Sequence, residues 1–544
     1  MRLKNVSFTY TRKGHRFTAN TRSSIENRYV ALNVEKEGDV FTVDIIPREE
    51  IVIERVYADF EREYNSDDRI FLNGYQSWTD SAERHVGYQM RRGDHPHDPI
   101  LKRYAFTQYG DYAFADYSPD EQHGFTYGYI DNGSGDIIFM GSLNEDNGFT
   151  VITCSPEKDL IRMEKDCRGL STGDSYRALS MFIAKGHEKD MFDRWFELMN
   201  IKPRTDRKIS GYTSWYRHYQ DISADKLIQD MDALDTALFP CDVFQIDDGY
   251  QRAVGDWLLL DEEKFPEGIE PVVTAAKERG LTPGLWLAPF VAEERSLLLE
   301  EHPDWFVKDS EGSMIKAAGN WSGAYALDIY NEEVRAYLTD VFDTVINKWG
   351  IEFLKLDFLY GACIVPREDR TRGAVMHDAC VFLRQLAGDV PILACGVPLA
   401  SAFGVADYCR IGCDVSLDWD DKFYMRHMHR ERPSTKNSIV NSVFRRQLSG
   451  RAFINDPDVF ILRDEGNTMT RDQRKALAQI NALCGGVLFT SDDMSTYGEW
   501  QYDMLREIGE LKEKGSILSA ALDRNVMYFE ILTDDSRELF ATRV

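Results

Sequence analysis

Between residues 205 and 490, short apolar runs, most of them ending at ionisable side chains, alternate with amphipathic helix patterns, and few folds accommodate that rhythm. The clearest unit begins at Asn331, a good N-cap. It sets Val334, Tyr337, Leu338, Val341, Phe342, Val345, Ile346 and Trp349 on one face at i, i+3, i+4, i+7 spacing before Gly350 ends it. Phe353-Leu354-Lys355-Leu356-Asp357 follows as a strand that ends on a charge. Further runs at 209–215, 243–247, 282–288, 391–395, 408–412, 451–455 and 486–490 bring the strand count to eight. Eight strands separated by helical pattern over roughly 300 residues predict a (β/α)8 TIM barrel. An open doubly wound sheet would carry a Gly-rich phosphate turn after its first strand, and neither GxGxxG nor GxxxxGK stands there.

The flanks have a different texture. Phe41, Val43 and Ile45 alternate with Thr42 and Asp44, and Phe125, Tyr127 and Tyr129 repeat the period of two. Turn clusters at 35–39 and 131–136 separate such runs, which predicts an N-terminal β-sandwich over 1–204. The barrel would occupy 205–508. A small C-terminal β unit would fill 509–544, with a hairpin of 526–532 and 539–544 around Thr533-Asp534-Asp535-Ser536. The chain is thus expected to be multidomain, α/β and β.

In a barrel, catalytic groups sit at the C-terminal ends of strands. Those ends carry Asp247 and Asp248, Lys355 and Asp357, Arg410 and Asp414, Asp456 and Asp458, and Asp492 and Asp493. Lys355 and Asp357 are two apart on a strand and share a side, while Leu354, Leu356 and Phe358 face the helices. A carboxylate beside an ammonium stays ionised and is a competent nucleophile; a structural ion pair at the mouth is the plainer alternative. Asp414 offers a second carboxyl. Two carboxyls in a pocket rimmed by Trp215, Trp257, Trp286 and Trp419 suggest glycoside hydrolysis, since sugars stack an apolar face on indole and donate hydroxyls to carboxylates.

Gly211-Tyr212-Thr213-Ser214-Trp215-Tyr216, Gln245-Ile246-Asp247-Asp248-Gly249-Tyr250-Gln251 and Gly255-Asp256-Trp257 resemble the first two strand ends of the melibiase-type α-galactosidases, glycoside hydrolase family 36 of clan D. The block ending Lys355-Leu356-Asp357 is similar to that family's nucleophile strand, usually Lys-Trp-Asp. Arg410-Ile411-Gly412-Cys413-Asp414 keeps the spacing of its arginine and acid/base. Asn455-Asp456-Pro457-Asp458 and Ser491-Asp492-Asp493 resemble stretches of the related family 27. The resemblance implies a retaining exo-α-glycosidase that cleaves terminal α-galactosides by double displacement. Asp357 would be nucleophile and Asp414 acid/base. Asp247 and Asp248 would hold O4 and O6, Lys355 would hold O3 and O4, Arg410 would sit near O2, and Trp215 and Trp257 would shape the subsite wall.

Two strand ends depart from the family pattern. Strand three ends Gly284-Leu285-Trp286-Leu287-Ala288-Pro289-Phe290, without the acidic residues many members carry, which leaves Trp286 as a sugar-binding candidate. The loop after strand five, with Cys395 as its candidate contact to the sugar, reads Ala394-Cys395-Gly396-Val397-Pro398-Leu399 and lacks the usual glycine-rich run. That loop lies near the C2 substituent in the family, so N-acetylgalactosamine remains an alternative to galactose. A transglycosylase of the raffinose-synthase kind and a non-catalytic carbohydrate-binding protein are the other readings. Asn73-Gly74-Tyr75-Gln76-Ser77-Trp78 is an aromatic turn that would either reach an active site or form an ordinary sandwich corner.

Composition limits the partners. Against 64 Lys and Arg stand 91 Asp and Glu, a net charge of -27 that repels nucleic acid and anionic membranes. The substrate is expected to be a small oligosaccharide or glycan, with no cofactor or metal, and family members' association makes a homo-oligomer an expectation. No apolar stretch follows the charges of Met1 to Val6, so no signal peptide is expected. Nine scattered cysteines without CxxC spacing suit reduced thiols in a cytoplasm. Cys409 and Cys413 lack further metal ligands, and His95, His97, His427 and His429 read as solvated loop histidines.

Overall fold

The computed structural model describes residues 1–90, 105–111, 115, 118, 120–367, 369–420, 429–523, 526–533 and 537–544. His95, His97, His427 and positions 534–536 of the expected C-terminal turn lie outside them.

Residues 2–186 form two antiparallel sheets. One, seven-stranded, is built around Arg2–Arg12, Ile51–Glu61 and Leu160–Lys165; the other, eight-stranded, around Val40–Pro47, Tyr176–Gly186 and Ile137–Ser142. Phe8, Ile53, Val56 and Met163 of the first meet Val43, Ile45, Leu179 and Met181 of the second in one buried core. Phe41, Val43 and Ile45 are buried while Thr42 and Asp44 are half-buried, as their alternation predicts. The run from Phe125 to Tyr129 is different. Thr126 has φ of 71°, which ends Gln122–Phe125 in the first sheet and starts Tyr127–Asp131 in the second. Both short strands are covered on both faces, so the apparent alternation marks a crossing between sheets and no single half-buried strand.

Beyond the helix Glu188–Met199 lies a nine-stranded sheet whose neighbours are all parallel. Its order is Ile454–Asp456, Tyr408–Arg410, Ile392–Ala394, Phe353–Leu356, Thr282–Leu287, Val243–Ile246, Ile209–Thr213, Val487–Thr490 and Val459–Phe460. The two ends of this path are halves of one stretch interrupted at Pro457 and Asp458, so the sheet curls back on itself. The seventh strand was expected at 451–455. It begins later because residues 446–453 complete a 3-10 turn and a tight bend held by Gly450, φ 76°. The helix after Asn331 is Glu332–Asp343, with the Asn331 side chain accepting from Glu333 N (2.8 Å) and Val334 N (3.4 Å). Its last turn, Thr344–Lys348, widens to a π-helix before Gly350, φ 74°.

Two features were not anticipated. After the third parallel strand, Val291–Glu293, Ala324–Ala326 and Lys316–Ala318 form a small antiparallel sheet. At the C-terminal end, Ser516–Asp523 adds a strand to the expected hairpin, making a three-stranded sheet with Val526–Leu532 and Arg537–Arg543.

Candidate active site

The C-terminal ends of the parallel strands gather most of the expected residues. Asp247 follows the second strand, and its Oδ2 accepts from Lys355 Nζ across the sheet at 2.8 Å and from Thr213 Oγ1 at 3.3 Å. Lys355 therefore pairs with Asp247, where the sequence had suggested its neighbour Asp357. Burial opposes the charge on Lys355, but Asp247 first and Asp357 second hold its pKa above the ordinary lysine value. Asp248 accepts from Gln251 Nε2 at 2.6 Å, Gln220 Nε2 at 2.8 Å and Trp321 Nε1 at 2.8 Å. Burial nevertheless raises its pKa, because those three neutral donors offset the lost hydration only in part.

Asp357 ends the fourth strand, with its side chain buried. Its Oδ2 accepts from Trp286 Nε1 at 3.1 Å and its Oδ1 from Phe358 N at 2.8 Å, so both oxygens are oriented. Phe358 does not face the helices as the strand pattern implied. Its φ of 52° breaks the strand and sends the ring to Trp78 (5.0 Å, edge-on) and Trp321 (5.0 Å) at the mouth.

Arg410, on the sixth strand, is fully enclosed by carboxylates: Asp414 Oδ1 at 2.8 Å, Asp456 Oδ2 at 3.1 Å and Asp458 Oδ1 at 3.0 Å. Burial raises the pKa of Asp458 to about 6 despite Arg410, with the negative charges of Asp414 and Asp456 adding to the effect. Asp414 differs from its companions in that 42% of its side chain is exposed. Crowding by the pocket still raises its pKa; Arg410 opposes the rise and Asp357 adds to it. The site thus holds one oriented, buried carboxyl and one more accessible carboxyl whose pKa is raised above the ordinary value.

Cys395 ends up beside this group, its buried thiol raised first by burial and then by Asp357. Its Sγ accepts from Trp78 Nε1 at 3.2 Å, so the Asn73 to Trp78 turn reaches the site. The turn is latched there. Ser77 N donates to Val397 O at 2.9 Å. Arg445, wholly buried, donates to Asn73 Oδ1 (2.9 Å), Ser77 O (2.6 Å), Gln76 O (3.1 Å) and Ile411 O (2.9 Å). A Cβ on Gly396 would stand 2.8 Å from the Trp78 indole.

The tryptophans divide. Trp286 touches Asp357, while Trp257 is fully buried behind it at 5.7 Å, edge-on, with no partner for its Nε1 among the described residues. Trp215 is half-buried against Tyr219. Trp321 was missed by sequence reasoning; it sits in the turn between two strands of the small sheet after strand three, with φ of 57°, and nothing in its neighbours' spacing points to Asp248. Tyr216, Asp456 and Asp458 also join the site, through Arg410 and through the Tyr216 hydroxyl bonded to Asp458. His429, expected in solvent, is buried and stacked on Phe106 at 4.4 Å. Among the described residues no cluster of His, Cys, Asp and Glu is arranged to hold a metal, and no helix is long and apolar enough to cross a membrane.

Residues 190–372 match the melibiase family model. Among solved structures, an α-galactosidase from Thermus thermophilus in complex with p-nitrophenyl α-D-galactopyranoside is similar with a TM-score of 0.71 and 26% identity, over 94% of this chain and 99% of that one. The chain is 27% identical over 158 residues to alpha-galactosidase 1 of Pediococcus pentosaceus, covering 27% of this chain and 20% of that protein. It is 32% identical over 123 residues to the A type blood alpha-D-galactosamine galactosaminidase of Flavonifractor plautii, covering 21% and 11%. These two sequence matches span a fifth or less of the curated relatives' lengths. Residues 190–372 thus carry the melibiase family's pattern, and the chain as a whole is similar in fold and sequence to an α-galactosidase.

Proposed function

We propose that the chain is a retaining exo-α-galactosidase with Asp357 as nucleophile and Asp414 as acid/base, on a (β/α)8 barrel of about residues 205–508 between an N-terminal sandwich and a C-terminal sheet. The observation that carries this is the contrast between the two carboxyls: Asp357 is fixed at both oxygens, whereas Asp414 is accessible and shifted toward its protonated form. Asp414 would protonate the departing oxygen while Asp357 attacks the anomeric carbon, then deprotonate the water that cleaves the glycosyl ester. A retaining pair works at about 5 to 5.5 Å, with no water between the carboxyl and the sugar in the first step. Asp247, Asp248 and Lys355 present two acceptors and a donor to ring hydroxyls, which suits an axial O4. The relatives' named activities on α-galactosides support the same sugar. Trp78 packed on Cys395 and Gly396 closes the loop after strand five, which favours a C2 hydroxyl over an N-acetyl group. None of the nine cysteines is in a disulfide, which supports a reducing, cytoplasmic setting.

The test is Asp357→Ala and Asp414→Ala assayed on p-nitrophenyl α-galactoside and on raffinose. Asp357→Ala should abolish turnover of both with the fold intact. Asp414→Ala should glycosylate with the activated substrate, then stall until azide is added; equal loss on both substrates and no azide rescue refutes the acid/base role. Product analysis at high raffinose concentration separates hydrolysis from transfer to a second sugar.

A further inference from the structure

A cavity of about 690 Å³ lies outside the carboxylate cluster, between the first turns of the helix Arg471–Cys484 and the C-terminal sheet. None of the active-site carboxylates lines it. Its size falls within the roughly 300 to 1,000 Å³ of small-ligand pockets. Trp419, half-buried, supplies an aromatic face. Asp472 and Arg543 enter the cavity with no hydrogen bond or ion pair to their side chains among the described residues. Gln473 accepts from Thr470 N through its Oε1 at 2.9 Å, which leaves its amide NH2; Gln479 donates its NH2 to Glu507 at 2.5 Å, which leaves its carbonyl oxygen.

With Phe529, Asp420, Lys436 and Lys475 also on its wall, the lining offers two aromatic side chains, two carboxylates, three cationic donors, and one amide group of each kind. That set complements vicinal hydroxyls on a ring with an apolar face. The wall mixes carboxylates, Asp420 and Asp472, with cations, Lys436, Lys475 and Arg543, and Lys475 is already paired with Glu507 at 3.3 Å, so an anion would meet two like charges; an apolar ligand would strip water from several polar side chains without replacing it. Trp419 is also tied to the candidate acid/base: Lys436 N donates to Trp419 O at 2.9 Å and Ser434 N to Asp414 O at 2.8 Å, so one helix start holds both stretches.

We propose that this cavity is an accessory saccharide-binding site, separate from the hydrolytic pocket, that retains a neutral oligosaccharide beside the barrel. Holding the glycan there raises its local concentration at the mouth. Only the choice of probe rests on the glycosidase reading.

The test is calorimetric titration of stachyose into Asp357→Asn, alone and combined with Ala541→Trp, which fills the cavity from an exposed strand position, or with Asp472→Ala. Two binding events are expected in the parent. Ala541→Trp should remove one, and Asp472→Ala should weaken that one at least tenfold and leave the other unchanged. Titrations that neither substitution alters overturn the proposal, as does competition for the second event by inorganic phosphate, which would mark an anion site. Should the event insensitive to Ala541→Trp be missing while the sensitive one remains, the glycosidase reading fails and the accessory site stands.

Discussion

Trp286→Phe tests how the pocket orients Asp357, the proposed nucleophile. Trp286 Nε1 is one of two donors to Asp357, at 3.1 Å, and phenylalanine keeps a ring against Trp257 while deleting that N–H. A hydrogen bond to a charged acceptor is worth about 1.5 to 3 kcal/mol. The carboxylate regains its charge when it is released from the glycosyl ester, so the loss falls on the deglycosylation step and should lower kcat roughly 10- to 150-fold at about 1.4 kcal/mol per tenfold. Packing is the competing explanation, and Trp257 supplies the control. It is the other half of the same edge-on pair, fully buried, but its Nε1 has no partner among the described residues. Trp257→Phe removes comparable ring volume and no bond to a carboxylate, so it should lower the melting temperature yet hold kcat within about threefold. The assay is steady-state hydrolysis of p-nitrophenyl α-galactoside with a thermal melt of each variant. Equal losses of rate in the two variants, or an unaltered rate in Trp286→Phe, would refute the reasoning.

Other perturbations read other parts of the structure. Burial lowers Arg445 to about 10, so its charge is held at a cost, and its bonds to Asn73, Gln76, Ser77 and Ile411 outweigh it. Arg445→Met strands those acceptors and should destabilise by about 3 to 5 kcal/mol and cut turnover by loosening Trp78; a melt and rate like those of the parent count against the latch. Lys355→Met leaves Asp247 buried without its cation, so KM for galactosides should rise at least tenfold at neutral pH, measured by initial rates; an unchanged KM means that Lys355 is only structural. Three buried acids have raised folded-state values: Glu83 to about 8, Glu431 to about 7 and Asp458 to about 6, each mainly through burial. A raised carboxyl pKa gives stability that is present at low pH and lost as pH climbs through the folded value. The melting temperature should therefore fall between about pH 5 and 8.5, and Glu83→Gln should flatten the upper part of that slope. A rise over this range excludes the assignment.

The sequence carried the parallel sheet well because most strands are short apolar runs followed by a charge, and a charge is excluded from a packed interior. Val243–Ile246 and Phe353–Leu356 were found within a residue on that basis. The mouth residues followed from the same rule, since strand ends share one face. Partners across the sheet did not follow. Lys355 had Asp357 two residues away and Asp247 more than a hundred away, and local spacing favours the near one; only the curl of the sheet puts Asp247 at 2.8 Å. Phe358 and Thr126 were misread for a related reason. Each has positive φ, at 52° and 71°, and a side chain's face on a strand can be counted only while the backbone stays extended.

Trp321 and Trp78 show a second limit. Each reaches the site through segments whose own pattern is unremarkable: a small antiparallel sheet after the third parallel strand, and a turn of the N-terminal sandwich. Both supply an indole N–H to a group already in the pocket, Asp248 in one case and Cys395 in the other. An indole donates and cannot accept, so each fixes the orientation of its acceptor without competing for the ligand's protons. The strand ends of the parallel sheet thus provide the carboxyls proposed to react and the cations, while the inserted segments provide donors that hold them in place. That division explains why the chemistry was legible in local motifs and the support was not: reactive groups must sit at strand ends, but a supporting donor need only reach them, from any part of the chain that the fold brings near.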